Sequence, residues 1–296
     1  MTPPHEEAPP VPPPHPNPSR PRLAIPPGAW DCHCHVFGPT DRYPYWPDRS
    51  YTPPAAPLAR YLGLLDLLGV EHGVLVQPSV YGTDNRLLVD SLKASPRRLR
   101  GVAVIDATIE ERELEAMHSA GVRGVRINLL FRGGVSFAAA EAIADRVRPL
   151  GWHIQFLLDI SQTPGLRQAL KRLRLPVVID HMGHFPASQG TALPAFRDLQ
   201  AMLADGQAWV KLSAPYLFTR QPDMPYADVT PIARALVEAA PERCVWGTDW
   251  PHPANKLAMP DDGPLTDLLG KWVTDEALRR RILVDNPKSL YGSASM

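Results

Sequence analysis

The stretch His153 to Asp180, HIQFLLDISQTPGLRQALKRLRLPVVID, holds the pattern that decides the fold. It begins with an apolar run, His153–Leu158, and ends with a second, Val177–Ile179. Between them, Pro164–Leu173 puts Leu166, Leu170 and Leu173 four and three residues apart. A short unbroken apolar run reads as a strand buried on both faces, and apolar residues at intervals of three and four read as one face of a helix. Strand, helix and strand in this order form the unit that builds a parallel sheet.

The same unit recurs in both directions along the chain. Strands are expected at Trp30–Val36, Gly73–Gln77, Gly101–Val104 and Gly124–Asn128 before this stretch, and at Ala208–Lys211 and Cys244–Trp246 after it. Amphipathic segments lie between them at Leu58–Leu68, Arg86–Ala94, Glu110–Ala120, Phe137–Leu150, Pro194–Ala204 and Val229–Ala239. Two more follow near Leu265–Trp272 and Asp275–Val284. Eight strands, each followed by a helix, give an α/β fold of the (β/α)8 TIM-barrel type, and 296 residues are enough to build one. A doubly wound open sheet is the alternative, but no G-x-G-x-x-G or P-loop sequence supports it.

Residues 1–28 differ from the rest. They are dense in proline, with Pro12-Pro13-Pro14 in the middle, and read as a mobile or loosely draped spacer. The catalytic barrel is therefore expected over residues 29–296. Lysine and arginine together number 31 and so do aspartate and glutamate. That balance, without long runs of one sign, gives no reason to expect a nucleic acid or a membrane surface as partner. Cys32, Cys34 and Cys244 are too few for a disulfide framework. No apolar run reaches the roughly 20 residues that span a bilayer, and the N-terminus has no apolar signal segment. Cytoplasmic residence is expected on these grounds; a homo-oligomer is compatible with the sequence.

Chemistry in such a barrel gathers at the C-terminal ends of the strands. The first strand carries Asp31, His33 and His35 at alternate positions, which strand geometry assigns to one face, leaving Cys32 and Cys34 on the other, toward the helices. Two imidazoles two residues apart suit a divalent metal or a pair of donors for a substrate oxygen. His181 stands at the end of the sixth strand with His184 in the following loop, and Asp249 lies just past the eighth, with His252 beyond it. A carboxylate there can bind metal, orient a water and take its proton. Arg126 on the fourth strand and Arg132 after it suit a substrate anion. Ser79 follows the second strand as a donor; without a G-x-S-x-G elbow it is not read as a nucleophile.

These motifs resemble the amidohydrolase superfamily, in its branch related to 2-pyrone-4,6-dicarboxylate lactonase. The resemblance is carried by Asp31-Cys32-His33-Cys34-His35-Val36-Phe37-Gly38-Pro39 and by Val76-Gln77-Pro78-Ser79-Val80-Tyr81-Gly82-Thr83-Asp84-Asn85. Further on it rests on Arg123-Gly124-Val125-Arg126, Asp180-His181-Met182-Gly183, Val245-Trp246-Gly247-Thr248-Asp249-Trp250-Pro251-His252 and the closing Asp285-Asn286-Pro287-Lys288-Ser289-Leu290-Tyr291. It implies a hydrolytic water activated by Asp249, with His33, His35 and His181 polarising a lactone carbonyl directly or through a metal. It implies that Tyr51, Ser79, Arg126 and Arg132 hold the substrate. The sequence departs from the dicarboxylate lactonases at His184 and Leu217, where they carry arginine, and at Leu157, where they carry tyrosine; Arg220 is near the second of these.

The departures favour a lactone with another anion pattern, such as a muconolactone or its sulfonated form. One divalent ion, zinc by preference, is expected on His33, His35, His181 and Asp249, with catalysis without metal as the other arrangement the branch allows. No lysine stands at the usual bridging position, so a two-metal site is not expected. A metal-dependent nonoxidative decarboxylase of an aromatic or muconate-type acid is the second enzymatic reading, and a non-catalytic ligand-binding barrel the third.

Overall fold

A computed structural model describes residues 8–133 and 135–292. Eight strands follow the chain: β1 Trp30–Cys34, β2 His72–Val76, β3 Leu99–Ala103, β4 Val122–Asn128, β5 His153–Leu157, β6 Val177–Ile179, β7 Ala208–Leu212 and β8 Cys244–Trp246. Each pairs in parallel with the next, in the order β1 to β8. The seam between β8 and β1 is closed at its upper end. There the Asp249 amide donates to the His33 carbonyl at 2.8 Å and the His35 amide to the Trp250 carbonyl at 2.7 Å. The (β/α)8 barrel read from the sequence is the fold.

The connections carry α1 Leu58–Leu68, α2 Arg86–Ala94, α3 Glu111–Ala120, α4 Ala140–Val147, α5 Leu166–Lys171, α6 Pro194–Ala204 and α7 Thr230–Ala239. They are followed by α8 Asp262–Trp272, α9 Glu276–Arg280 and, after a π-helical turn at Arg281–Asp285, α10 Asn286–Tyr291. The helices turn their apolar stripes to the outer face of the sheet. On β5, for example, Ile154 and Phe156 join that outer core. Helix α1 stops at Gly69, whose φ of 76° would strain any residue with a Cβ and whose amide caps the carbonyls of Leu65 and Asp66. Helix α10 is absent from the sequence reading. Its Tyr291 is buried under the barrel with Trp30, Cys32, Val74, Val76, Val102, Val178, Trp209 and Val245 as an interior floor. No helix of the described residues is long and apolar enough to cross a membrane.

One expectation about β1 is corrected. Between Asp31 and Cys34 the strand advances three residues while its partner β2 advances two, from Gly73 to Leu75. That extra residue is a bulge, and a bulge breaks the alternation of faces. Cys32 accordingly joins the interior floor, while Cys34 packs in the outer core. Asp31 does not share the face of His33 and His35. It accepts from the Thr248 amide at 2.9 Å, the Thr248 hydroxyl at 2.7 Å and the Tyr61 hydroxyl at 3.0 Å, tying β1 to the segment after β8. Burial pushes the Asp31 carboxyl up to about 6 despite these donors.

The proline-rich segment is laid along the barrel from residue 8 onward; residues 1–7 lie outside the described residues. The Val11 amide donates to the Thr52 carbonyl and the Thr52 amide to the Pro9 carbonyl, at 3.0 and 2.8 Å. Ser19 donates from its amide and its hydroxyl to Asp261, each at 2.7 Å, and the amides of Arg22 and Leu23 donate to Asp267. Over residues 8–28 the expected spacer is thus draped and pinned, because amides and hydroxyls between the prolines find carboxylates on and before α8.

His153 sits in the floor at the start of β5, in edge contact with the Tyr291 ring at 5.3 Å. Burial, reinforced by the Lys211 charge, pulls its pKa down to about 3 from 6.5. Between those two values the unfolded chain binds a proton that the folded chain does not. Stability is therefore complete above pH 6.5 and is lost as pH falls through this window, by about 2 kcal/mol from pH 7 to pH 5. Urea unfolding of the wild type and His153→Gln at both pH values should show the variant losing that much less on acidification. Equal losses in the two proteins would show that His153 is not the source.

Candidate active site

The polar residues of the barrel interior form two tiers. The lower tier is built around Asp180, fully buried just past β6. Arg126 on β4 approaches it through Nε at 3.3 Å and Nη2 at 3.2 Å, and Gln155 on β5 donates to it at 2.9 Å. Lys211 on β7 lies 3.6 Å away and also donates to Gln155 Oε1 at 2.6 Å. A buried carboxylate without partners would cost several kcal/mol, so these cations are what permit it. Burial alone would raise the Asp180 carboxyl, but Lys211, His33 and Arg126 outweigh it and hold it well below the usual range.

The upper tier contains the four residues singled out in the sequence, and the structure brings them together. Asp249 Oδ1 lies 3.4 Å from His33 Nε2, 3.6 Å from His35 Nε2 and 3.8 Å from His181 Nε2. His33 Nε2 and His35 Nε2 are 3.3 Å apart. The other Asp249 oxygen, Oδ2, accepts from the Tyr216 hydroxyl at 2.7 Å. Asp249 holds a left-handed backbone with φ of 62°, an uncommon conformation for a residue other than glycine. The seam bond from its amide to His33 keeps it there. Burial would raise its carboxyl, yet His181, His35 and His33 together keep it below the ordinary carboxylate range. His181 is lowered to about 4 by burial, and His33 well below 6.5 by burial and then by Lys211. At neutral pH the carboxylate is charged and these two imidazoles are neutral.

The second ring nitrogens determine what each imidazole can offer. His35 Nδ1 is 2.7 Å from the Val76 carbonyl, which only accepts, so Nδ1 carries the proton and Nε2 presents its lone pair to the site. His181 Nδ1 is 2.8 Å from Ser213 Oγ, which can donate or accept. His33 Nδ1 lies between two groups of opposite demand, Lys211 Nζ at 3.1 Å and Asp180 Oδ1 at 3.3 Å. A hydrogen bond accepted from Lys211 at Nδ1 leaves the ring N–H at Nε2, whereas a hydrogen bond donated from Nδ1 to Asp180 leaves a lone pair at Nε2.

Tetrahedral zinc with bonds near 2.0–2.1 Å requires donors about 3.3–3.4 Å apart. The separations of 3.3, 3.4 and 3.6 Å within His33, His35 and Asp249 come near that requirement, and among the described residues these three form one group of donors within 4.8 Å of one another, whereas His181 groups with His33 and Asp180. The Asp180–His33 contact is the carboxylate–histidine pair that commonly backs a metal ligand. Three of the four expected donors thus fit together, with Lys211 as the group that works against them.

The other expected residues lie at the mouth. Tyr51 is buried and stands in edge contact with the Phe131 ring at 5.9 Å. Ser79 is buried as well. Arg132 is exposed, and its amide donates to Ser50 Oγ at 2.9 Å, which brings the loop after β4 against the segment that carries Tyr51. His184 is half-buried, its ring centroid 6.4 Å from that of His181. Arg126 lies in the lower tier, where Asp180 takes two of its nitrogens. Leu157 is buried at the end of β5, whereas Arg220 is exposed with its amide on Asp228. Trp46, Leu129 and Leu130 expose a third or more of their surface on the mouth loops and give it an apolar rim.

Four residues escaped the sequence reading. Lys211 left a visible signal, a cation inside the buried run Ala208-Trp209-Val210-Lys211-Leu212. Gln155 sits in the middle of β5 and Asp180 just past the end of β6, where interior residues are expected, but only the closed barrel brings them to one point. Tyr216 left none, as its position depends on the turn after β7.

The amidohydrolase family model matches residues 30–293. The 2-pyrone-4,6-dicarboxylate hydrolase of Comamonas testosteroni is 40% identical over 286 residues, covering 93% of this chain and 93% of its own. The 4-sulfomuconolactone hydrolase of Rhizobium radiobacter is 40% identical over 276 residues, covering 91% and 92%. Among solved structures, an apo protein of Agrobacterium tumefaciens superposes with a TM-score of 0.84 at 32% identity, covering 92% of this chain and 98% of that one.

Proposed function

This chain belongs to the amidohydrolase family, and from that premise we propose that it is a hydrolase that opens the ring of an anionic lactone in the catabolism of aromatic compounds. The substrate class is a carboxylated or sulfonated lactone of the muconolactone or pyrone type. The observation that carries this reading is the division of labour on one carboxylate: Asp249 Oδ2 is held by Tyr216, while Oδ1 faces three imidazoles.

A water bonded to Asp249 Oδ1 loses its proton to that oxygen as its own oxygen attacks the lactone carbonyl. The carbonyl oxygen gains negative charge and is met by the imidazole edge, where His33 offers an N–H whenever Lys211 holds its Nδ1. The ring C–O bond then breaks, Asp249 returns the proton to the departing oxygen, and the product carries one new carboxylate. Tyr51, Ser79, Arg126, Arg132 and His184 are proposed to orient the substrate, with exposed Arg132 as the cation for its anionic group. Leucine at 157 and histidine at 184 support a substrate with fewer negative groups than a pyrone dicarboxylate.

Zinc is the proposed occupant of His33, His35, His181 and Asp249, and when bound it would supply Lewis acidity at the carbonyl and acidify the water. Lys211 opposes it, as a buried cation behind His33. Lys211→Met should therefore raise zinc affinity at least about tenfold, since one like-charge contact in a buried site exceeds the roughly 1.4 kcal/mol that a factor of ten requires. Chelator-competition titration of apoprotein measures this; equal or weaker binding in the variant would remove Lys211 from the account.

The function itself is tested with 2-pyrone-4,6-dicarboxylate, muconolactone and 4-sulfomuconolactone, followed by ultraviolet loss of the ring in ¹⁸O-labelled water. One labelled oxygen in the new carboxylate is expected. Carbon dioxide release with no label would replace the reading with decarboxylation.

A further inference from the structure

Beyond the residues that face the substrate, a second buried chain of groups ends on Asp249. The Tyr216 hydroxyl lies 2.7 Å from Asp249 Oδ2 and 2.8 Å from His252 Nδ1, and His252 Nε2 lies 3.1 Å from Asp262 Oδ1. All four residues are 3% exposed or less. Tyr216 comes from the turn after β7, Asp249 and His252 from the segment after β8, and Asp262 from the first turn of α8.

Hydrogen-bond accounting gives this chain a direction. A phenol has one proton and a carboxylate only accepts. Asp249 Oδ2 is the carboxylate acceptor 2.7 Å from the phenol, so the phenolic proton goes to it. The phenol oxygen must then be the acceptor for His252, whose Nδ1 donates. Asp262, in turn, accepts from Nε2. The donors run outward from His252, through the Tyr216 hydroxyl to Asp249 on one side and from Nε2 to Asp262 on the other, and the series is anchored in a helix whose start is tied to the proline-rich segment through Ser19 and Asp261.

We infer that Tyr216 and His252, backed by Asp262, are positioning residues that lock the rotation of the Asp249 carboxylate and leave Oδ1 for the water. The inference rests on Asp249 as the base. Without Tyr216, both oxygens can turn toward the three imidazoles, and Oδ1 is no longer selected. Tyr216 touches Asp249 and His252 alone among these groups, so its removal should act on turnover more than on substrate binding.

The test is steady-state kinetics on the full chain with the lactone that the panel identifies. Tyr216→Phe should lower kcat by about 10- to 100-fold, in line with the cost of a misplacement near 1 Å, and shift KM less than about threefold. His252→Gln should lower kcat less. The double variant should match Tyr216→Phe within about twofold, because residues acting in series on one group are not additive. Thermal melts of each variant separate misfolding from misorientation, and His252→Gln still reads the chain if Tyr216→Phe fails to fold. An unchanged kcat in Tyr216→Phe, a loss confined to KM, or multiplying effects in the double variant would overturn the inference. Asp249→Asn, measured alongside, keeps the two ideas apart: an active Asp249→Asn removes the base itself, whereas an inactive Asp249→Asn beside a fully active Tyr216→Phe removes only the positioning chain.

Discussion

Asp249→Asn is expected to lower kcat for lactone opening by at least about a thousandfold while the protein stays folded. Asparagine has nearly the same shape and can still accept from the Tyr216 hydroxyl, so the packing around residue 249 is preserved. What it cannot do is take a proton from water at Oδ1, and a positioned general base is worth about 10²–10⁴ in rate. The loss should sit at the upper part of that range because burial makes two of the three surrounding imidazoles, His181 and His33, weak bases. Folding should survive because the variant removes a buried charge and creates no cavity. Zinc content should be measured in both proteins, so that loss of a ligand is distinguished from loss of a base. Activity within about tenfold of wild type, at equal metal content, would end the proposed water chemistry.

Gly247→Ala carries the second large effect. Gly247 follows β8 at the closing seam, and a Cβ there would stand 2.8 Å from both the backbone nitrogen and the Cβ of His33. Backbone cannot swing aside as a side-chain tip can, so either β1 or the segment after β8 must move. Both carry the site: His33 and His35 belong to one side and Asp249 to the other, and the bond between the Asp249 amide and the His33 carbonyl crosses the same seam. A shift approaching 1 Å is enough to cost about 100-fold in kcat/KM, and overpacking of this kind costs about 1–3 kcal/mol in stability. Kinetics and urea unfolding on the same preparation measure the two together. A variant with wild-type kinetics would mean that the seam yields without disturbing His33 or Asp249.

Both predictions depend on residues far apart in the chain, and this separates what was legible from what was not. The barrel could be read because each strand and helix announces itself locally: Leu58–Leu68 was expected and observed with the same bounds, and Val177–Ile179 and Cys244–Trp246 likewise. His33, His35, His181 and Asp249 could be read because a single rule, chemistry at the C-terminal strand ends, turns a list of positions into one mouth. The side assigned to Asp31 and Cys32 was not legible, since a bulge arises from pairing with β2 and leaves no mark in β1 itself. The proline-rich segment was read from composition as a spacer, because the carboxylates that pin it, Asp261 and Asp267, lie more than 200 residues downstream.

The sequence by itself determined the period of the elements, their order, and the chemical inventory of the mouth. Periodicity and residue type are local properties, and they survive in a string of letters. Tertiary structure alone decided which nitrogen of His33 meets Lys211 or Asp180, which oxygen of Asp249 is held by Tyr216, and how closely Gly247 passes β1. Those are matters of tenths of an ångström between segments brought together only when the sheet closes, and proton position and charge balance are set at that scale.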